Sequence, residues 1–276
     1  MDSASTAMYA ALLIASVGVA VSAAEELYRL DVFSDSGILS WSVLRFTRRR
    51  ARLRSVQELA DLLFRPRAFA ALLVAKLAAG LSVVALTIAG SPPRPLLAAL
   101  SAAVLALVLL MKRRTTFGLD GSDHMQVVVF LGATAFLVVP QDSLAATAAV
   151  LYVAAQAVLA YVVAGVAKLA GPAWRDGSAL GGIMTTKIYG TRWVGEFLTG
   201  RPLLGLAACW AVILFEMGFV AVLFVDQRAM WGLLAVGVLF HASTAVLMGL
   251  NGFLLAFTAT YPAVAYAHHL LHAGWL

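Results

Sequence analysis

The sequence predicts an all-α fold, a polytopic bundle of transmembrane helices, and three observations support this prediction. Of the 276 residues, 62% are hydrophobic and only 12% are charged, whereas soluble proteins are about 25% charged. Apolar runs long enough to cross a membrane recur along the whole length. The basic residues behind the formal charge of +6 cluster between these runs, so membrane lipids rather than nucleic acid are the expected partners. We therefore expect one integral membrane domain over residues 1–276.

About eight spans are expected, within a range of six to nine. The first apolar run is longer than the core of a signal peptide and has no basic residue before it, so we interpret it as a retained span. Pro140 ends the fourth span and Pro262 interrupts the eighth, because proline removes a backbone donor. In order, the predicted spans are residues 7–24, 68–90, 95–111, 125–139, 143–168, 203–225, 229–248 and 253–272.

Residues 25–67 form a long charged segment between the first two spans. It contains RFTRRRARLR and then SVQELADLLF, in which Val56, Leu59, Leu62 and Leu63 fit one face of an amphipathic helix on the membrane surface. Successive loops hold nine, one, three, no and four Lys or Arg residues, which places the first, third and fifth loops in the cytoplasm. We expect a multi-pass protein of a bacterial cell membrane, with this segment on the cytoplasmic side.

The glycine-rich segment 171–202 follows the fifth span. We expect a loop with short interfacial helices, able to close over a site as a lid. Trp174 can stack on a quinone ring, although a place in the interfacial aromatic belt also explains it. Arg175 and Asp176 are expected to pair with each other or to cap the next helix, which is a structural role.

Lys168 is the most informative ionisable residue inside a span. It ends an uncharged run, in AGVAKLAGPAWRDG, and helical spacing places Tyr161, Ala164 and Gly165 on its face. The two small residues leave a hollow beside the lysine stem, and the tyrosine adds an aromatic wall and a hydroxyl. A lysine that is shielded from water can act as a base near neutral pH. The alternative is a lysine that snorkels from a helix end and only anchors it.

Four further ionisable residues lie in or beside spans, where charge is expensive. His124 stands at the mouth of the fourth span and is either a solvated interfacial residue or part of a site. His241 lies among small residues inside the seventh span, where an interhelical hydrogen bond competes with a catalytic role. Glu216 is expected to pair with a lysine for structural reasons, and Lys76 is expected to snorkel.

The sequence gives little support for a metal-binding site or a disulfide bond. Cys209 is the only cysteine, which excludes an intramolecular disulfide, and its apolar surroundings predict a buried, inert thiol. The terminal histidines have spacing that suits a metal, but frayed terminal histidines are commoner, so no metal is expected; they are His268, His269 and His272. No phosphate-binding loop, nucleophile elbow or zinc signature occurs.

Four segments together resemble the HTTM family, the membrane domain of vitamin K-dependent γ-glutamyl carboxylase. YVVAGVAKLAGPAWRDGSAL (161–180) is similar to the family's aromatic-x-x-Ala-Gly-Val-x-Lys-Leu segment. FGLDGSDHMQVVVFL (117–131) resembles the stretch before a span in which carboxylases carry an important histidine. FHASTAVLMGLNGFLLAF (240–257) resembles a late histidine-bearing span, and FSDSGILSWSVLR (33–45) is similar to an early family segment. These segments are spread along most of the chain, from residue 33 to residue 257, in the expected order.

The resemblance implies a quinol-dependent enzyme of the lyase type. Lys168 matches the base that deprotonates reduced vitamin K, and His124 matches the histidine that supports the quinone chemistry. Tyr161, Gly165, Trp174 and His241 are the expected quinone-binding residues. The implied cofactors are reduced vitamin K or menaquinone, dioxygen and, for glutamate carboxylation, carbon dioxide; the quinol becomes its epoxide. A lipid-soluble quinol and a peptide or protein substrate are the implied partners.

Two departures from the carboxylase pattern leave other functions open. The chain ends at Leu276, shortly after the last predicted span, whereas animal carboxylases continue into a large extra-membrane domain. Ala167 stands where some carboxylases have a second lysine. Quinol oxidation is therefore expected with or without carboxylation of a peptide. The alternatives are a non-catalytic partner in peptide maturation or export, a DoxX-like quinone-linked redox subunit, and a transporter or scaffold.

Overall fold

Helices and the turns that connect them build the structure, a computed structural model that describes residues 3–47, 54–90, 93–114 and 121–274. No strand occurs in these ranges, which confirms the predicted all-α fold. In chain order, the helices are α1 (Ala4–Tyr28), α2 (Trp41–Thr47), α3 (Arg54–Leu63), α4 (Pro66–Ile88), α5 (Arg94–Arg114), α6 (Gly121–Val138), α7 (Leu144–Ala170), α8 (Pro172–Arg175), α9 (Ser178–Met184), α10 (Arg192–Thr199), α11 (Pro202–Gly218), α12 (Gln227–Met248), α13 (Asn251–Thr258) and α14 (Tyr261–His272).

Seven of the described helices are long and apolar enough to cross a membrane. They are α1, α4, α5, α6, α7, α11 together with the 3₁₀ turn Phe219–Leu223, and α12. Each has at least 18 residues, and about 20 residues cross the hydrocarbon core of a bilayer. The number lies within the predicted range of six to nine, and the chain is a multi-pass helical membrane protein.

The eighth predicted span is a broken pair of helices, α13 and α14. The break falls before Pro262, the second residue of α14, because this proline has no N–H for the preceding helical turn. Asn251 at the start of α13 donates to Glu25 near the end of α1, at 2.7 Å. His268 in α14 makes a 2.9 Å hydrogen bond to the carbonyl of Val225, in the turn before α12. The pair therefore runs from one end of the bundle to the other.

Small residues bring the central helices close together. A Cβ atom on Gly132 of α6 would lie only 2.5 Å from a methyl group of Val153 in α7. A Cβ atom on Gly80 of α4 would lie 3.3 Å from the carbonyl of Ser16 in α1. Without a hydrophobic drive between helices in lipid, such close approach supplies much of the packing energy. The result is a continuous core in which α7 contacts α6, α11 and α14.

The segment between α1 and α4 packs on the outside of the bundle. Trp41 of α2 and Phe64 before α4 meet edge to face, with ring centroids 4.7 Å apart. On α3, the apolar residues Val56, Leu59 and Leu62 are about half exposed, so they form an outward stripe that suits a membrane surface. Much of the predicted arginine run, residues 48–53, lies outside the described residues, and the cytoplasmic location of this segment stays a prediction.

Lys76 does not snorkel, and that expectation is wrong. Its side chain is only 3% exposed, and its ammonium group lies 3.2 Å from the carboxylate of Glu26 and 3.0 Å from the hydroxyl of Ser22. The close contact between α1 and α4 puts an acidic partner within reach. An ion pair in the interior therefore replaces the solvated ammonium that snorkelling would provide.

Removing one partner of this pair should destabilise the protein more than removing both. Glu26→Gln leaves the buried ammonium of Lys76 without its counter-charge, and we expect a loss of about 1–3 kcal/mol. The double variant Glu26→Gln/Lys76→Met should recover most of this loss, since no charge remains unpaired. Thermal unfolding in lipid nanodiscs measures both. The exposed pair Arg192–Glu196 supplies the control, where Glu196→Gln should have little effect; a double variant no more stable than Glu26→Gln would contradict the prediction.

Candidate functional site

The ion pair between Lys168 and Glu216 is the centre of the candidate site. Lys168 lies in the last turn of α7, and its ammonium group lies 2.8 and 2.7 Å from the two carboxylate oxygens of Glu216 in α11. The lysine side chain is 22% exposed and the glutamate only 5%. Glu216 was expected to pair with a lysine, and the structure shows that the lysine is the candidate base itself. Each charge lowers the cost of placing the other inside the bundle.

Gly165 lets α11 pack closely against α7 beside this pair. A Cβ atom there would lie 2.7 Å from the backbone nitrogen of Met217 and 3.1 Å from the Cβ of Glu216. The hollow that the sequence predicted beside the lysine stem is thus filled by α11 at this position. Ala164, the neighbouring small residue, does line open space. A side chain larger than glycine would push α11, and Glu216 with it, away from Lys168.

A cavity of about 510 Å³ adjoins the ion pair. It is enclosed largely by aromatic and aliphatic side chains, among them Phe240, Phe253 and Phe257. Five of the six predicted site residues line it: Lys168, His124, Tyr161, Trp174 and His241. A volume of this size is within the range of small-molecule sites. The structure therefore brings residues from α6, α7, α8 and α12 to one apolar cavity with few polar groups.

A chain of hydrogen bonds borders the cavity. The Tyr161 hydroxyl lies 2.6 Å from Nε2 of His241 and 2.6 Å from the Tyr261 hydroxyl. The Tyr161 ring stacks on Phe219 at 3.9 Å, and the His241 ring stacks on Phe257 at 4.4 Å, so both polar groups are held in place. Nδ1 of His241 is buried and has no partner among the described residues. The predicted interhelical hydrogen bond of His241 is present, and one nitrogen remains unpaired.

His124 lies in the first turn of α6 and is exposed, yet it also lines the cavity, beside Gly121 and Met125. The helix begins at Gly121. The preceding part of the segment that suggested this histidine, residues 115–120, lies outside the described residues. His124 thus stands where the cavity meets the end of the bundle.

The predicted lid consists of α8, α9 and α10. Trp174 of α8 lies over the lysine, with its ring centroid 5.2 Å from the ammonium nitrogen of Lys168, a cation–π contact. Leu180 and Ile183 of α9 close the cavity on this side. Gly177 connects α8 to α9 with a positive φ of 86°, and a Cβ atom there would overlap the backbone of Leu206 in α11. Only glycine combines this conformation with this contact.

Asp176 has the structural role that was expected of it. Its carboxylate accepts hydrogen bonds from the hydroxyl of Ser178 at 2.6 Å and from its backbone N–H at 2.9 Å. The hydroxyl of Ser178, with its backbone N–H, holds the pKa of Asp176 below its usual value. These bonds satisfy donors at the start of α9 and fix the turn between α8 and α9.

Sequence reasoning missed several residues of the site. Tyr261 and Phe257 come from the two sides of the helix break, about a hundred residues after Tyr161. Gly237 permits the contact, because a Cβ atom there would overlap the Tyr261 hydroxyl. The Tyr-Pro pair at the break was a local signal of irregular backbone, but no periodicity links it to α7. Only the packing of α14 against α7 places these hydroxyls together.

Comparisons of the chain with protein-family models, curated proteins and solved structures found no match. The resemblance to the HTTM family therefore remains a prediction from the quoted segments. The geometry of the cavity is the basis for any functional assignment.

Gly237→Ala should disturb the hydroxyl chain, and a second glycine on the same helix offers a matched control. The new methyl group overlaps the Tyr261 hydroxyl, so we expect a loss of about 1–3 kcal/mol in the free energy of unfolding. Gly232→Ala meets nothing within 4 Å and should be neutral or stabilising by up to about 1 kcal/mol. Thermal unfolding in nanodiscs distinguishes them; equal effects of the two substitutions would disprove the close contact.

Proposed function

We propose that this protein is a quinol-dependent membrane enzyme that oxidises a reduced naphthoquinone to its epoxide. The ligand is reduced vitamin K or menaquinone in the hydroquinone form, and dioxygen is the oxidant. Quinol and dioxygen give the quinone epoxide and one water molecule, which balances the reaction. The single observation that carries the proposal is the apolar cavity that holds the Lys168–Glu216 pair and, bordering it, the His241–Tyr161–Tyr261 chain.

The cavity suits a flat, lipid-soluble aromatic ligand. Aromatic side chains border it on several sides and offer faces for stacking, including Trp174 and Phe257. Polar groups are few, and they include Lys168 with Glu216 and His241. A hydroquinone has an aromatic ring system, which suits the aromatic walls, and two oxygens, which suit the few polar groups. A ligand of this kind also reaches a site between helices directly from the bilayer.

The Lys168–Glu216 pair supplies the base. In the ion-paired form the carboxylate accepts a proton, and in the neutral form the amine does, so the two side chains act as one acceptor. After the pair accepts a hydroxyl proton it carries one net positive charge, which stabilises the negative charge left on the ligand oxygen. Trp174 stabilises the same positive charge through its ring face. In an apolar cavity these interactions are stronger than in water.

The tyrosine–histidine chain holds the other side of the site. If Tyr161 donates to Nε2 of His241, the histidine carries its proton on Nδ1, the nitrogen without a partner. A ligand oxygen beside Nδ1 would give this proton an acceptor and relieve the cost of an unpaired buried group. His124, at the mouth of the cavity, is placed to exchange protons with solvent. His241 thus orients the ligand through a hydrogen bond, and His124 exchanges protons with solvent.

The proposal extends to location and to a second substrate. We propose that the protein lies in a bacterial cell membrane with the Lys168 end of the bundle at the cytoplasmic face, and the distribution of Lys and Arg among the loops supports this orientation. An alternative reaction at the same site couples quinol epoxidation to the carboxylation of a peptide glutamate with carbon dioxide. A non-catalytic partner in peptide maturation, or a quinone-linked redox subunit, becomes the better assignment if quinol binds without reacting or does not bind.

Epoxide formation tests the proposed reaction. The wild-type protein in lipid nanodiscs, given reduced menaquinone and dioxygen, should form the epoxide, detected by mass spectrometry. Lys168→Ala and Glu216→Gln should each lower the rate at least about 100-fold, because each removes part of the base. Lys187→Ala, at an exposed lysine beyond the cavity, is the control. Parallel reactions with carbon dioxide and a glutamate peptide test carboxylation; a folded wild-type protein without epoxide would overturn the proposal.

Ligand binding is measurable apart from catalysis. Trp174→Ala removes the ring that lies over Lys168 and lines the cavity, so the Kd for reduced menaquinone should rise about tenfold. Trp193→Ala removes an exposed tryptophan of α10 that does not line the cavity and should leave the Kd unchanged. Anaerobic titration followed by tryptophan fluorescence gives both constants. A similar Kd for the two variants would place the ligand elsewhere.

A further inference from the structure

A second cavity, of about 220 Å³, lies between α1, α4, α5, α6 and the turn from α12 to α13. Its walls are mainly polar, in contrast to the apolar cavity beside Lys168. We call it the polar chamber and define it by Ser22, Glu26, Lys76, Asp123, Gln126 and Asn251, which are among its lining residues. It lies at the same end of the bundle as Lys168, since the ends of α1, α5 and α12 and the start of α6 surround it.

The charged and amide side chains that line the polar chamber favour the presence of water. Lys76 is nearly inaccessible, whereas its partner Glu26 is 29% exposed, so the carboxylate is the member of this pair that reaches open space. Asn251 crosses the rim to Glu25. The Gln126 side chain is 5% exposed and lines the chamber. Burying charged and amide groups in a dry cavity costs free energy. Polar cavities of sufficient size hold water in proteins.

The polar chamber and the apolar cavity lie on opposite sides of one helical turn. Leu250 lines both of them. Residues at the start of α6 face the two spaces alternately: Ser122, Asp123 and Gln126 line the chamber, and Gly121, His124 and Met125 line the apolar cavity. Among the described residues, the first turns of α6 and Leu250 therefore border both spaces. His124 lines the apolar cavity, and the neighbouring residue Asp123 lines the polar chamber.

We propose that the polar chamber holds water and conducts protons between the aqueous phase and the candidate site, with His124 as the transfer group. This inference rests on the proposed function, because it concerns the proton that the Lys168–Glu216 pair accepts. The quinol gives up two hydroxyl hydrogens and the product water contains two hydrogens, so the overall reaction neither releases nor consumes protons. The chamber passes one proton out when the base is reset and one proton in when water forms. No electrons move in these steps.

Thiol labelling tests whether water fills the polar chamber and requires no enzymatic activity. Ser22→Cys faces the chamber, and Ser16→Cys, on the same helix, is fully buried; both are made with Cys209→Ala. A charged, membrane-impermeant methanethiosulfonate reagent should modify the cysteine at 22 at least about ten times faster than that at 16, because reaction requires a hydrated thiol. Gln126→Cys serves as a second chamber position. Equal rates, or no reaction at either chamber position, would overturn the inference.

Solvent isotope effects test proton delivery. Gln126→Leu removes a polar wall group outside the proposed ligand site. Turnover should fall about tenfold and the solvent deuterium isotope effect should increase, while the Kd for reduced menaquinone stays within about twofold. Thr134→Val, two turns further along α6, should change none of these. An unchanged isotope effect in an active Gln126→Leu variant would refute delivery through the chamber. An inactive wild-type protein overturns the proposed function and the delivery step together, whereas the labelling still shows whether the chamber is hydrated.

Discussion

The ion pair between Lys168 and Glu216 is the interaction on which the rest of the candidate site depends. Neither charge is stable alone inside a membrane bundle, so each residue requires the other. Two short contacts of 2.8 and 2.7 Å tie the last turn of α7 to the last turn of α11. This contact also brings Phe215 and Phe219 against the Tyr161 ring. One polar interaction thus positions the candidate base, the aromatic wall and the start of the hydroxyl chain.

Small residues allow these polar contacts to form. Gly165 lets α11 approach the lysine, and Gly237 lets the Tyr261 hydroxyl approach α12. In lipid, where apolar surface gains little by association, close backbone contact and interhelical hydrogen bonds stabilise a bundle. The break before Pro262 serves the same arrangement. It sets Phe257 and Tyr261 on either side of an irregular turn, and both reach Tyr161. Glycines and a proline therefore determine the geometry of the site more than its hydrophobic residues do.

Polar and apolar space are segregated at one end of the bundle. The apolar cavity carries few charges and is covered by α8 and α9, whereas the polar chamber is lined by the Lys76–Glu26 ion pair and by amide side chains. Such a division suits chemistry on a lipid-soluble ligand, which needs a dry site and also a route for protons. Lys76 and Lys168 illustrate the difference. Both form ion pairs with glutamate, but only Lys168 borders the apolar cavity, under the ring of Trp174.

Composition and hydropathy alone determined that this protein is an all-α, multi-pass membrane protein, because the length and spacing of apolar runs follow directly from bilayer thickness. Helical spacing also placed Tyr161 on the face of Lys168, and glycine content predicted the segment of short helices after α7. Tertiary structure decided the rest. Lys168 pairs with Glu216, 48 residues away, Lys76 is buried against α1 rather than reaching solvent, and Gly165 packs against α11. A hydrophobic pattern shows which residues avoid water but not which neighbouring helix each face of a span contacts. Apart from a few polar residues, the faces that contact lipid and those that contact other helices are both apolar. That choice depends on close packing between small residues and on pairing of polar groups, and both exist only in the assembled bundle.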